Sequence, residues 1–174
     1  MTSRYVLGID VGTTALKAIA LEREHGIVAQ AELPHELRSL HPGWAEEDPE
    51  RWWTTTCEAI RTLLTAIPAQ EIDAIGVSGM VPAMVMLDAS GIPLRPSIQQ
   101  NDARAIIEVE ELRAAVNLDE FLSIAGCMPN QQSIDTKWRW LQRHEPEVIE
   151  RAAHVCGSYD FIVYRLTGHF SLEE

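Results

Sequence analysis

The reading of this 174-residue chain turns on one stretch near its start, Leu7-Gly8-Ile9-Asp10-Val11-Gly12-Thr13-Thr14-Ala15-Leu16-Lys17. An apolar run of strand length, Tyr5–Asp10, ends on a carboxylate; Gly12, Thr13 and Thr14 form a turn; a second apolar run, Ala15–Leu21, follows. The second run sets Leu16, Ala18 and Ala20 against Ile19 and Leu21, the pattern of a central strand covered on both faces. A carboxylate at the tip of a buried strand needs a cation or hydrogen-bond donors to offset its desolvation. Gly12 permits close backbone approach to a ligand. Thr13 and Thr14 place hydroxyls beside turn amides, a donor cluster suited to phosphate oxygens. Asp10 is a candidate holder of hydrated magnesium, which keeps several waters and takes one or two carboxylates, and Lys17 adds a positive charge nearby. The same residue types also compose an ordinary β-turn closed by an Asx hydrogen bond, and spacing alone leaves both readings open. A dinucleotide site is excluded, because GxGxxG must open onto a helix and here the chain continues as a strand.

Working outward, Glu22 to Gly26 is a polar turn, after which Ile27, Ala29, Ala31 and Leu33 alternate with Val28, Gln30 and Glu32. That period of two predicts a half-exposed strand, so two hairpins open the chain. A loop with Pro34, Pro42 and Gly43 leads to Asp48-Pro49-Glu50, which combines an N-cap acceptor, a proline at the first helical position and an acid at the positive dipole end. Trp53, Cys57, Ile60, Leu64 and Ile67 then predict one apolar stripe along a long helix. Ile72–Val77 reads as a fourth strand. The resulting β-β-β-α-β order differs from a doubly wound fold, which alternates helix and strand from the start. Met84–Leu87 and Ile92–Pro96 flank an Ala-Ser-Gly turn and predict another hairpin. The remainder is mainly helical, with segments at Ala103–Val116, Leu118–Ile124, Ser133–His144, Pro146–Ala152 and Tyr159–Leu166. Ile134, Trp138 and Leu141 are expected on one packing face, Lys137 as a salt-bridging surface residue, and Met80 and Val81 in the core. Phe170–Glu174 starts what reads as another strand. No internal repeat or low-complexity segment is present.

Fourteen basic residues against 26 acidic ones leave a net charge of −12, which argues against binding nucleic acid or an anionic membrane surface. With 46% hydrophobic residues the composition is globular, and a chain of this length buries about 70% of its unfolded surface. Cys57, Cys127 and Cys156 are odd in number and lack a CxxC pair, and the six histidines show no HxxxH spacing. A reducing compartment without a structural zinc site follows. The run before Asp10 is too short for a signal-peptide core, and Ile75–Leu87, interrupted by Ser78, Gly79 and Pro82, is too short to span a bilayer. A cytoplasmic location is expected.

The turn motif, the β-β-β-α-β order and His41-Pro42-Gly43-Trp44-Ala45-Glu46-Glu47-Asp48-Pro49 together resemble the FGGY carbohydrate kinases, especially xylulokinase-like members. So do Gly76-Val77-Ser78-Gly79, the string from Leu87-Asp88 to Arg95-Pro96-Ser97-Ile98, Asn101-Asp102-Ala103-Arg104, Lys137, Trp140, Gln142–Glu147 and Tyr164-Arg165-Leu166-Thr167-Gly168. The resemblance covers almost the whole chain. It implies an α/β fold, an actin-like ATPase (ribonuclease H-like) domain with a mainly helical C-terminal part. It also implies ATP and Mg2+ as cofactors, a sugar or polyol whose hydroxyl attacks the γ-phosphoryl group, and Asp10, Gly12, Thr13 and Thr14 facing the phosphates and the magnesium, with Lys17 the candidate cation beside them. Such catalysis is mostly positioning and charge neutralisation.

The chain departs from the family in two respects. Where xylulokinases carry Gln-Met-His-Gly, with the Met-His pair on the sugar, this chain has Met80, Val81, Pro82 and Ala83; the tryptophan before the Asn-Asp pair is Gln100. The resemblance puts Val81, Pro82, Gln100, Asn101 and Asp102 at the substrate. An unmatched polar group in a sugar pocket costs about 1–3 kcal/mol, so the loss of the histidine argues against xylulose itself. A second role for Asn101 or Asp102 is to cap the following helix. The other departure is length. Residues 1–174 correspond to an incomplete N-terminal, sugar-binding domain, with the catalytic base and the ATP-binding domain beyond the C-terminus, so this chain alone is expected to be inactive. The strand Ile72–Val77 would then be left with a bare edge, a template for marginal stability or a homo-oligomer. A non-catalytic sugar- or phosphate-binding module that needs a partner is the alternative. An actin-like or chaperone-like ATPase without a sugar is disfavoured by the His41–Pro49 and Arg95–Arg104 matches.

Overall fold

The computed structural model describes residues 4–170; the strand expected to continue to Glu174 lies, beyond Phe170, outside them. Strands β1 (Tyr5–Val11), β2 (Ala15–Glu22), β3 (Gly26–Pro34) and β5 (Ile72–Gly79) form one sheet in the order β3-β2-β1-β5. The first three pair antiparallel, and β5 joins β1 in parallel. Both opening hairpins and the alternation of β3 are therefore as the residue pattern dictates. Between β3 and β5 lie the short β4 (Glu46–Glu47) and helix α1 (Pro49–Leu63), whose N-cap Asp48 accepts from the Glu50 amide with Pro49 in the first turn.

The residues group into two compact units. The first contains the chain up to Leu37, Glu47–Val81 and the part from Cys156 on; the second contains Arg38–Glu46 and Pro82–Val155. In the first unit α1 and the last helix, α6 (Ser158–Thr167), pack on the sheet. They cover the face that carries Leu7, Ile9 and Val11 of β1 and Leu16, Ala18 and Ala20 of β2, all buried.

Two expectations are corrected here. The buried face of α1 is Trp52, Thr55, Thr56, Ala59 and Leu63, one residue away from the stripe read from hydropathy; only Ile67 of that stripe is buried. Both threonine hydroxyls bond back into the helix, Thr55 to Arg51 O and Thr56 to Trp52 O, which removes the cost of burying them. Trp53 instead lies at the flank, under the Arg165 guanidinium. The second correction concerns β2, which is central in the sheet but covered on one face only: Lys17 and Leu21 are exposed, as are Val6 and Asp10 beside them.

In the second unit Met84, just before β6 (Val85–Leu87), exchanges backbone hydrogen bonds with Ile98 of β7 (Ser97–Ile98), and Leu94 N donates to Met86 O. This is the expected hairpin in a looser form. Helices α2 (Ile106–Ala115), α3 (Leu118–Ala125), α4 (Ile134–His144) and α5 (Pro146–Arg151) follow the expected order with shifted ends. The three-residue strand β8 (His154–Cys156), which pairs with β6, is too short to leave a mark in the hydropathy pattern. The core of this unit gathers Met84, Met86, Ile98, Ala105, Trp140, Leu141 and Val148. Trp138 packs at its edge, while Ile134 is exposed. Among the described residues no helix is long and apolar enough to cross a membrane.

Candidate functional site

The hairpin register fixes the geometry of the turn. Asp10 lies opposite Lys17 across β1–β2 and opposite Ser78 across β1–β5. The Ser78 hydroxyl donates to Asp10 Oδ1 at 2.9 Å. Asp10 is exposed, so it carries no burial cost among the described residues, contrary to the expectation for a buried strand tip. A groove of ≈ 450 Å³ runs along this open face, lined by Gly8, Asp10, Lys17, Ile19, Gly76 and Ser78 among others.

Beyond Asp10 the chain turns tightly. The Gly12 amide donates to Ala15 O at 3.2 Å, and a Cβ at Gly12 would stand 2.9 Å from that same oxygen and 3.7 Å from Asp10 Oδ2. Only glycine fits. The Thr13 hydroxyl donates to Met80 Sδ at 2.9 Å, while the Thr13 and Thr14 amides find no acceptor among the described residues. The turn thus presents two unused N–H groups next to a carboxylate with one uncommitted oxygen and a lysine. That donor set fits a phosphate chain with a magnesium ion bound through one carboxylate. No cluster of three His, Cys, Asp or Glu side chains that could hold a metal exists among the described residues.

A buried polar layer adjoins the turn. His35, whose side chain is 1% exposed, bonds through Nδ1 to Gly12 O at 3.0 Å and through its backbone amide to Thr14 O at 2.9 Å. Its Nδ1 lies 3.6 Å from Glu47 Oε2, and Nε2 lies 3.4 Å from the Thr55 hydroxyl. Burial pushes the His35 pKa below its ordinary value, partly countered by the Gly12 bond. Burial pushes Glu47 up to about 7, although the Trp52 indole N–H donates to Oε2 at 2.6 Å; Oε1 has no partner among the described residues. Sequence reading misses both residues. The only local signal for His35 is a lone histidine directly after a strand.

Of the residues expected at the substrate, Val81 in the first unit is 52% exposed and not in the core, and Met80 is half-buried. In the second unit Pro82 and Gln100 are half-buried and Asn101 is exposed. Asp102 turns inward instead. Its Oδ2 accepts from the Ala45 amide at 2.6 Å and Arg104 Nη2 at 2.8 Å, and its Oδ1 from the Arg104 amide and Nε. Both oxygens are engaged, so Asp102 braces the Gln99–Arg104 turn rather than reaching a ligand. The capping role also fails, since the N-cap of α2 is Ala105, without a side-chain bond. Burial works against the Asp102 charge, but the Arg104 and Ala45 hydrogen bonds outweigh it and hold the carboxyl below its usual range.

Arg104 continues the network to Glu46 Oε1 at 2.8 Å, with its guanidinium 3.9 Å from the Trp44 ring centroid and 5.0 Å from that of Trp140. Lys137, expected on the surface, is fully buried and donates to Gln99 O at 2.7 Å. Burial lowers its pKa to about 8, with Arg104 adding to the shift and Asp102 opposing it. Gln99 Oε1, Ser97 Oγ and Arg104 Nη1 are buried there without partners among the described residues.

The profile of the FGGY family of carbohydrate kinases, N-terminal domain, matches residues 5–174. The chain belongs to this family. The xylulose kinase of Escherichia coli (strain K12) is 34% identical over 165 residues, covering 95% of this chain and 34% of its own length. That of Staphylococcus xylosus is 31% identical, covering 97% and 35%. The solved xylulose kinase from Rhodospirillum rubrum superposes with a TM-score of 0.93 at 45% identity over 98% of this chain and 35% of that one. A gluconate kinase from Lactobacillus acidophilus superposes with a TM-score of 0.88 at 28% identity, over 95% of this chain and 34% of its own. The chain spans about a third of the length of the curated relatives it matches. Its α/β architecture is the actin-like ATPase fold of these FGGY kinases.

Proposed function

We propose that this chain supplies the phosphate turn and the sugar-side elements of an ATP-dependent carbohydrate kinase that phosphorylates a hydroxyl of a sugar or polyol. The observation that carries this reading is the turn itself: Gly12 with no room for a side chain, two unused amides at Thr13 and Thr14, and the exposed Asp10 opposite Lys17. MgATP supplies the transferable phosphoryl group and its charge-neutralising ion. Asp10 would hold the metal, and Lys17 and the turn amides would hold phosphate oxygens, with Ser78 fixing the Asp10 rotamer through Oδ1. The family resemblance supports Val81 of the first unit, and Pro82, Gln100 and Asn101 of the second, as sugar contacts, with Asp102 holding the turn that carries the last two.

Pro82 offers no side-chain donor, which favours a ketose or polyol other than xylulose. Likeness to kinases named for xylulose and for gluconate supports leaving the sugar class broad. The three cysteines are unpaired in the structure, in line with a reducing, cytoplasmic setting. The 174-residue polypeptide by itself is proposed to be inactive, because none of its carboxylates is assigned as the base and a positioned base contributes about 10²–10⁴-fold.

The test joins this chain to the remaining two-thirds of the Rhodospirillum rubrum enzyme and measures ADP release over a panel of ketoses and polyols. Sugar-dependent turnover that falls by about 10²-fold or more in Asp10→Ala is expected. A folded fusion whose rate ignores that substitution would contradict the reading. Turnover by the 174-residue chain alone would contradict the proposed inactivity.

A further inference from the structure

A phosphate cradle works only if its amides face the ligand and its carbonyls do not. In the turn described above, the two carbonyls that flank the free amides, those of Gly12 and Thr14, are both taken by one residue. His35 binds Gly12 O with its ring Nδ1 at 3.0 Å and Thr14 O with its backbone N–H at 2.9 Å. The Gly12 carbonyl and the Thr13 N–H belong to the same trans peptide plane and point in opposite directions. Pinning the one therefore aims the other. The imidazole is itself held in place. Its side chain is 1% exposed, Glu47 Oε2 lies 3.6 Å from the same Nδ1, and the Thr55 hydroxyl lies 3.4 Å from Nε2. The Gly12 carbonyl that meets Nδ1 can only accept, so the ring proton resides on Nδ1.

We propose that His35 is the positioning residue of the phosphate turn, clamping the Gly12 and Thr14 carbonyls so that the Thr13 amide, and with it the Thr14 amide, stays presented to phosphate oxygens. The inference rests on the phosphate reading of Asp10–Thr14. It assigns His35 no contact with substrate and no proton transfer. Glu47 acts one step further out, by orienting the imidazole.

The test titrates the 174-residue chain with magnesium pyrophosphate and follows the Thr13 and Thr14 amide signals by NMR. Wild type, His35→Leu, His35→Asn and His35→Gln are compared. An asparagine amide can reproduce the Nδ1–H donor, whereas a glutamine amide places its donor where Nε2 stood. Loss of one neutral hydrogen bond predicts about a tenfold rise in Kd for His35→Leu and His35→Gln, and a Kd within about threefold of wild type for His35→Asn. A role limited to core packing would not separate Asn from Gln.

Equal affinities and equal Thr13 and Thr14 shifts in wild type and His35→Leu would overturn the inference and leave the phosphate reading intact. Wild-type amides that do not respond to magnesium pyrophosphate would overturn both. A measurement on the unmodified protein guards against variants that fail to fold: the ring nitrogen shifts of His35 are expected to show the Nδ1–H tautomer at about pH 7.5, and the Nε2–H tautomer would refute the clamp.

Discussion

The two units solve burial in different ways. The first hides an apolar sheet face beneath two helices and leaves the other face and the β5 edge open among the described residues, with Val6, Leu21 and Ile75 all exposed. The second has strands of only two or three residues and adds to its apolar core a layer of buried charge: Asp102, Arg104, Glu46 and Lys137 are all buried, with the Arg104 guanidinium against the Trp44 and Trp140 rings. The lesson is that the unit carrying the Gly12–Thr14 turn is specified by local pattern, whereas the unit carrying the Gln99–Arg104 turn is specified by partners distant in sequence.

The largest effect should come from breaking that charged network. Arg104→Leu removes the guanidinium that pairs with Asp102 and one of the two that meet Glu46, Arg95 being the other, and stranding the buried Asp102 charge costs about 3–5 kcal/mol. Urea unfolding of the variant should show that loss, with second-unit NMR signals lost first. A cost below about 1 kcal/mol would mean the network is incidental. Leu16→Ala is the counterpart in the apolar unit. Leu16 is fully buried, so the cavity should cost about 2–5 kcal/mol in the same measurement, with no change in pH dependence.

A finer contrast lies in pH. Burial raises the Glu47 pKa to about 7 in the folded state, above the 4.5 of an ordinary glutamate. Its contribution is fully present below the unfolded value and is lost as pH rises through 7. Glu47→Gln, which keeps an acceptor for the Trp52 indole, should therefore stabilise the protein above pH 7 by about 1–3 kcal/mol and flatten the profile between about pH 4.5 and 7. Lys137 has the opposite sign: its folded pKa of about 8 lies below 10.5, so its contribution is present above 10.5 and lost as pH falls through 8. Lys137→Met should abolish the gain in stability between about pH 8 and 10.5, at the expense of the hydrogen bond to Gln99 O. Thermal melts across about pH 4–11 check both, and parallel profiles for either variant and wild type would refute its assignment.

Smallest in energy is Ile75→Lys on the open strand β5, expected to change stability by less than about 0.5 kcal/mol. It should raise the monomer fraction in sedimentation if that edge drives self-association. An unchanged distribution would show that it does not.

These contrasts also explain what is legible in the sequence. The hairpins, the Asp48-Pro49 helix start and the tight turn at Gly12 are local devices, readable from spacing. The α1 stripe falls one residue from its expected place because Thr55 and Thr56 count as polar in hydropathy, yet satisfy their hydroxyls on the helix backbone and bury cheaply. Lys137 reads as a surface residue because its partner, the Gln99 carbonyl, lies 38 residues away, and nothing near Lys137 announces that contact. Asp102 reads as a ligand because an Asn-Asp pair looks available until Arg104 and the Ala45 amide are seen to occupy it. His35 and Glu47 escape notice for the same reason: their meaning lies in Gly12 and Thr14, which the fold brings to them.

Every functional step above depends on the first turn binding a magnesium-bound phosphate chain. The decisive experiment is calorimetric titration of the chain with pyrophosphate, with and without Mg2+, on wild type and Asp10→Ala side by side. Wild-type binding is expected to tighten about tenfold or more with Mg2+, and Asp10→Ala to lose that dependence. The same affinity in all four conditions, or no binding by the wild type, would contradict it.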